Sequence, residues 1–115
     1  SSACATIRLL GIGRAGARLR VRVRTACEGL LALKATASVV VRHRHASVVV
    51  RSRGRPVGAG VRTVVLSFAG SQAVGRALRD RRRAPVALLV TFVPRTGGPT
   101  QVLRRPLLLL APPRR

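Results

Sequence analysis

Arg18-Leu19-Arg20-Val21-Arg22-Val23-Arg24 is the stretch whose reading decides the fold class of this chain. Charged and aliphatic side chains alternate through it without a break. In a β-strand that period of two sends Leu19, Val21 and Val23 to one face and the arginines to the other. On a helix the same arginines would spread around the whole circumference, so the helical reading fails. The stretch is one strand of a sheet with a dry face and a wet, basic face.

Upstream of it, Ala5 to Leu10 reads as a first strand, broken by Gly11, Gly13 and Gly16. A glycine-bearing loop between two extended segments is a hairpin signal. Gly11-Ile12-Gly13-Arg14-Ala15-Gly16 also matches the G-x-G-x-x-G pattern of dinucleotide sites. The arginine strand comes next, where such a site needs a helix, and the acidic residue expected about 20 residues on is missing, so the turn reading is preferred. If the two strands pair, Cys4 falls within reach of Cys27 across the open end of the hairpin. One disulfide fits an extracellular or cell-surface setting; two buried thiols would fit the cytoplasm.

Downstream, Leu30 to Val41 is extended, with Leu31, Leu33, Ala35 and Ala37 on one side. Ala37-Ser38-Val39-Val40-Val41-Arg42-His43-Arg44 recurs as Ala46-Ser47-Val48-Val49-Val50-Arg51-Ser52-Arg53. Two β-branched triplets separated by basic residues predict a hairpin turning around Arg42–His45. Residues 53–60, rich in Gly, Pro and Arg, read as a loop. Arg62 to Phe68 returns to strand character, with Val64, Leu66 and Phe68 inward. Ser71 is placed to cap a short helix whose Val74, Ala77 and Leu78 share a face up to about Arg82. Val86 to Val93 is apolar on both faces and so predicts a central strand, while Pro106 puts the last strand, Gln101 to Leu110, at an edge. The reading is a mainly β, two-sheet sandwich of about seven strands, with one short helix between the fifth and sixth. Residues 1–110 form a single domain and 111–115 a linker or frayed tail.

The charge is extreme: 23 basic residues against two acidic ones, Glu28 and Asp80, for a formal +21. Two explanations stand side by side, a polyanionic partner or the arginine excess of GC-rich coding sequence. Self-repulsion at this charge favours bound counter-anions under either. The polyanion-binding candidates are Arg18, Arg20, Arg22 and Arg24 on the strand, with Arg79, Arg81, Arg82 and Arg83 at the end of the helix. The apolar run from 107 to 113 is far short of the roughly 18–20 residues of a membrane span. The chain opens at Ser1 without a methionine or signal-like segment, which predicts a processed or excised piece.

Val21-Arg22-Val23-Arg24, Cys27-Glu28-Gly29-Leu30-Leu31-Ala32-Leu33, Gly60-Val61-Arg62-Thr63-Val64-Val65-Leu66-Ser67, Gly75-Arg76-Ala77-Leu78 and Val86-Ala87-Leu88-Leu89-Val90 together give a pattern that resembles immunoglobulin-like and fibronectin-III-like modules of secreted bacterial proteins. The resemblance spans roughly residues 18–110. It implies a spacer or adhesion module without an active site. The chain departs from antibody domains in having no Trp or Tyr, hence no core Trp and no tyrosine corner. Its cysteines are also too close in sequence for the usual bridge between sheets.

Enzyme chemistry is not expected. The two carboxylates fall on unrelated elements, and no thiol is placed beside His43 or His45. His43 and His45 on one side of an extended segment make a poor metal site beside arginines, so neither metal nor cofactor is expected. Phe68 and Phe92, the only aromatics, are both wanted in the core, which leaves nothing to stack bases. The expected role is an extracellular spacer or adhesion module that binds an anionic cell-wall or glycan polymer, or abuts neighbouring domains of a longer chain. A basic protein binding nucleic acid without sequence preference, in the cytoplasm, is the first alternative; a filament or shell subunit is the second.

Overall fold

A computed structural model describes residues 4–111. Its strands are β1 (Arg8–Ala15), β2 (Arg18–Thr25), β3 (Gly29–Val41), β4 (Arg44–Arg51), β5 (Arg55–Val57), β6 (Gly60–Ser67), β7 (Arg83–Pro94) and β8 (Gln101–Leu110), and its helix is α1 (Gln72–Arg81). All pairings are antiparallel. The smaller sheet has the order β1-β2-β6; the larger has β4-β3-β7-β8, with β5 also on β3. The two sheets and α1 enclose one continuous hydrophobic core.

The alternation in β2 is realised residue by residue: Leu19, Val21 and Val23 are fully buried and the arginines are exposed. In β3 the inward set is Leu31, Leu33, Ala35, Ala37 and Val39. It lies beside Val86, Leu88, Val90 and Phe92 of β7 in the same sheet, and shares the core with Leu19, Val21, Val23 and Leu66 of the other layer. Ser71 caps α1, its hydroxyl accepting from the Val74 N–H at 3.2 Å, and Arg82 ends it in the left-handed conformation. Val74, Ala77 and Leu78 are the buried face of α1, which packs on β3 and β7.

The structure corrects the strand plan in four places. Among the described residues there are eight strands, and α1 lies between β6 and β7, because the 53–60 segment contains β5 where a plain loop was expected. At 13 residues β3 is long enough to hold two partners along one edge, β4 on Lys34–Val41 and β5 on Gly29–Leu31. Ser52 bridges the gap between them: its N–H donates to the Leu33 carbonyl and its hydroxyl accepts from the Leu33 N–H, both at 2.9 Å. Next, β1 is not broken by Gly11 and Gly13. It runs to Ala15 through a bulge at Leu10, and only Gly16, at φ +58°, lies in the turn.

The hairpin between β3 and β4 is tighter than expected, turning on Arg42 and His43 alone, both with positive φ. Finally, β7 is central within its sheet but covered on one face only. Leu30, Val93, Val102 and Leu110 remain between 42% and 50% exposed on the other side, because the small sheet and α1 both pack on the same side. Pro106 does sit on an edge strand, β8. Ala111 still donates to the Arg82 carbonyl, and the expected linker from 112 onward lies outside the described residues.

Gly29 is required where β5, β3 and β7 converge. A Cβ there would press on the Val93 carbonyl oxygen and lie 2.6 Å from Phe92 Cζ. Since Phe92 is fully buried and Val93 is backbone-paired, neither can yield cheaply. Gly29→Ala is expected to destabilise by about 3 kcal/mol. A urea midpoint unchanged from the parent would contradict this packing.

Candidate polyanion interface

The arginine row belongs to the middle strand of the smaller sheet. Apart from Arg8 beside Arg24, its outer-face neighbours are small or uncharged: Gly11, Gly13 and Ala15 on β1, and Ser67, Val65, Thr63 and Val61 on β6. Because glycine offers no side chain, the guanidinium groups of Arg20 and Arg22 stand clear on that side, opposite Gly13 and Gly11. Successive same-face residues are about 6.5–7 Å apart, so Arg18, Arg20, Arg22 and Arg24 form a linear array of cations. Arg8 pairs directly with Arg24 and adds a fifth charge at one end. Like charges directly opposite one another are destabilising, so this end of the array favours a bound anion.

The second group of predicted arginines does not join that row. Arg79 and Arg81 occupy the last turn of α1, where cations are favoured by the helix dipole irrespective of any ligand. Arg82 forms the αL cap, and its carbonyl holds Ala111. Arg83 opens β7 opposite Leu110, which places it on the outer face of the larger sheet. His43 sits in the tight turn at φ 65° and His45 lies opposite Val40 on β4, so the two imidazoles do not share one side of an extended segment. Among the described residues, no three or more of His, Cys, Asp and Glu come together. Glu28 forms an exposed ion pair with Arg95 at 3.0 Å.

Four arginines outside the predicted set are brought together by the fold. Arg51, Arg53, Arg55 and Arg62 line an open cleft of about 740 Å³ between β6 and the β4–β5 side of the larger sheet. Three of them carry a signal in the sequence, Arg51-Ser52-Arg53-Gly54-Arg55, a second period-two run of arginines masked by the glycine and proline around it. Arg62 carries no signal of its own. It stands opposite Val23, on the core-facing side of β6, and reaches the cleft only because β6 is an edge strand. Thr25, the one buried polar side chain among the described residues, fixes this wall by donating to the Gly58 carbonyl at 2.9 Å.

The opposite side of the sandwich is closed. Gln101 accepts from the Ile7 N–H at 2.7 Å and donates to the Cys4 and Ala5 carbonyls, and Arg14 donates to the Leu108 carbonyl at 2.7 Å. Cys4 and Cys27 are bonded, with Cα atoms 5.8 Å apart. Among the described residues, no helix is long and apolar enough to cross a membrane. No protein-family model matches the sequence, and no curated protein matches it.

Proposed function

We propose that this chain is a non-catalytic, extracellular or cell-surface module of the immunoglobulin-like or fibronectin-III-like kind. It serves as a spacer or adhesion element whose arginine face holds an anionic polymer. The observation that carries the reading is the row of four arginines on the central strand of an open sheet face, flanked by glycines and small residues. A regular pitch of about 7 Å suits phosphates, sulfates or carboxylates repeated along a cell-wall polymer or glycan. The Cys4–Cys27 bridge supports an oxidising compartment. Burial of both aromatics, Phe68 at 1% and Phe92 at 0% exposed, disfavours recognition of single-stranded bases. Phosphate contact with nucleic acid draws on the same charge and is the competing reading.

The test is binding of a sulfated glycan, a glycerol-phosphate polymer and duplex DNA over about 0.05–0.3 M salt. Replacing Arg18, Arg20, Arg22 and Arg24 together by serine is expected to leave the fold intact, since all four are exposed. It should also flatten the slope of log K against log salt on DNA by about 3–4, at roughly 0.9 per lost contact. The reading is supported if the glycan or cell-wall polymer shows a comparable loss and binds the parent at least as well as DNA. Unchanged polymer binding by the quadruple variant would refute it, and a clear preference for DNA would transfer the site to nucleic acid.

A further inference from the structure

The smaller sheet is one strand short on the side of the cleft. On the other side β1 is tied to β8 through Arg14 and Leu108, whereas β6 is an edge with no strand hydrogen-bonded to it there among the described residues, although β4 of the other sheet approaches it. The Phe68 N–H donates to the Ala17 carbonyl at 2.8 Å, on the β2 side. Backbone groups alternate along a strand, so those of Val61, Thr63 and Val65 point the other way, toward the free edge. Two further features mark the vacancy beside β6. Val48 and Val50 of β4 point inward, being opposite the buried Ala37 and Ala35, yet are only half covered. Val61 and Val65 of β6 are 41% and 53% exposed. Exposed edges of this kind are templates for another strand.

The charge around the edge selects what can occupy it. Arg20, Arg22 and Arg24 lie one strand in from the edge on the outer face. Arg53, Arg55 and Arg62 line the inner side. A strand laid beside β6 would lie about 10 Å from β2, with its alternate side chains directed to these two faces. A basic or neutral segment would meet repulsion or no partner; an acidic one would find cations on both sides. We infer that the free edge of β6 accepts an extended acidic segment of a partner protein by antiparallel or parallel strand addition, Thr63 at its centre. The segment is held by main-chain hydrogen bonds and by arginines above and below, with small aliphatic residues covering Val48 and Val50. This surface adds the backbone of β6 and the inner Arg53, Arg55 and Arg62, and it shares Arg20, Arg22 and Arg24 with the proposed polymer row, so an anionic polymer would compete with the segment for the outer face.

The probe is a synthetic peptide of about eight residues, Glu-Glu-Val-Val repeated twice, which as a strand presents both glutamates and valines on each face. It is compared with the same peptide N-methylated at alternate residues, which keeps every charge but removes one row of donors, and with a lysine-for-glutamate version. The unmodified peptide is expected to bind, to slow amide exchange at Val61, Thr63 and Val65, and to lose at least about tenfold in affinity on N-methylation at one of the two registers. The R53S/R55S/R62S variant should bind it about tenfold more weakly while retaining the parent's circular dichroism. Equal affinity of the N-methylated peptides would show charge attraction alone and overturn strand addition. Absence of binding, binding of the lysine version, or protection confined to β4 or β8 would overturn it as well.

Discussion

Val21→Asp is expected to abolish the cooperatively folded state, lowering stability by about 4 kcal/mol or more. Val21 is fully buried on the middle strand of its sheet, flanked by Ile12 of β1 and Val64 of β6. A carboxylate there meets aliphatic side chains, while the nearest guanidinium groups project from the opposite face of the same strand. It would have to remain charged without a partner or fold as the neutral acid, and both are costly against a typical total of about 5–15 kcal/mol. Arg20→Ser and Arg22→Ser, one residue to either side, should each change stability by less than about 0.5 kcal/mol. Any change should be toward greater stability at low salt, because each removes a like charge from the row. Urea denaturation of the three variants reads this contrast directly. Comparable losses in all three would mean that the register of β2, or the strand itself, is wrong.

Reduction of the Cys4–Cys27 bridge should lower the unfolding free energy by about 2–4 kcal/mol. The bond joins residues separated by 23 positions and spans the end of the β1–β2 hairpin opposite the Gly16 turn. On the chain-entropy account, a loop of that length is worth about 3 kcal/mol through the unfolded state alone. The folded state supplies a local consequence. Cys4 precedes Ile7, which is 2% exposed and whose N–H is held by Gln101. Without the bridge, only the Gln101 contacts and the burial of Ile7 hold the segment before β1. Its amide at Ile7 should therefore lose exchange protection before those of β2 and β7 do. Protein purified under oxidising conditions should show no thiol titratable in denaturant, and the C4S/C27S variant should reproduce the loss seen on reduction. Two free thiols in such a preparation would remove the main support for an extracellular setting.

Where a residue's fate depends on its immediate neighbours in the chain, it could be read from the letters alone. The inward faces of β2, β3 and β7 come from a period of two, and the buried side of α1 from the spacing of Val74, Ala77 and Leu78. Ser71 as the cap, Pro106 at an edge and the nearness of Cys4 to Cys27 needed only a hairpin or a helix start. The arginine row was legible for the same reason, since a strand that buries Val21 must expose Arg20 and Arg22.

Other features depend on which strand lies beside which, and alternation says nothing about that. β5 is ordered because β3 is long enough to pair with it at Leu30, with Thr25 and Ser52 securing the chain on either side. The outer face of β7 is as apolar as a covered one, yet it stays open because the small sheet and α1 both pack against the opposite face. Arg62 occupies an inward position on β6 and would be a buried charge on a middle strand; at an edge it becomes one wall of the basic cleft. Periodicity assigns a residue to a face, but only the packing of one layer on another decides whether that face, or that edge, is covered.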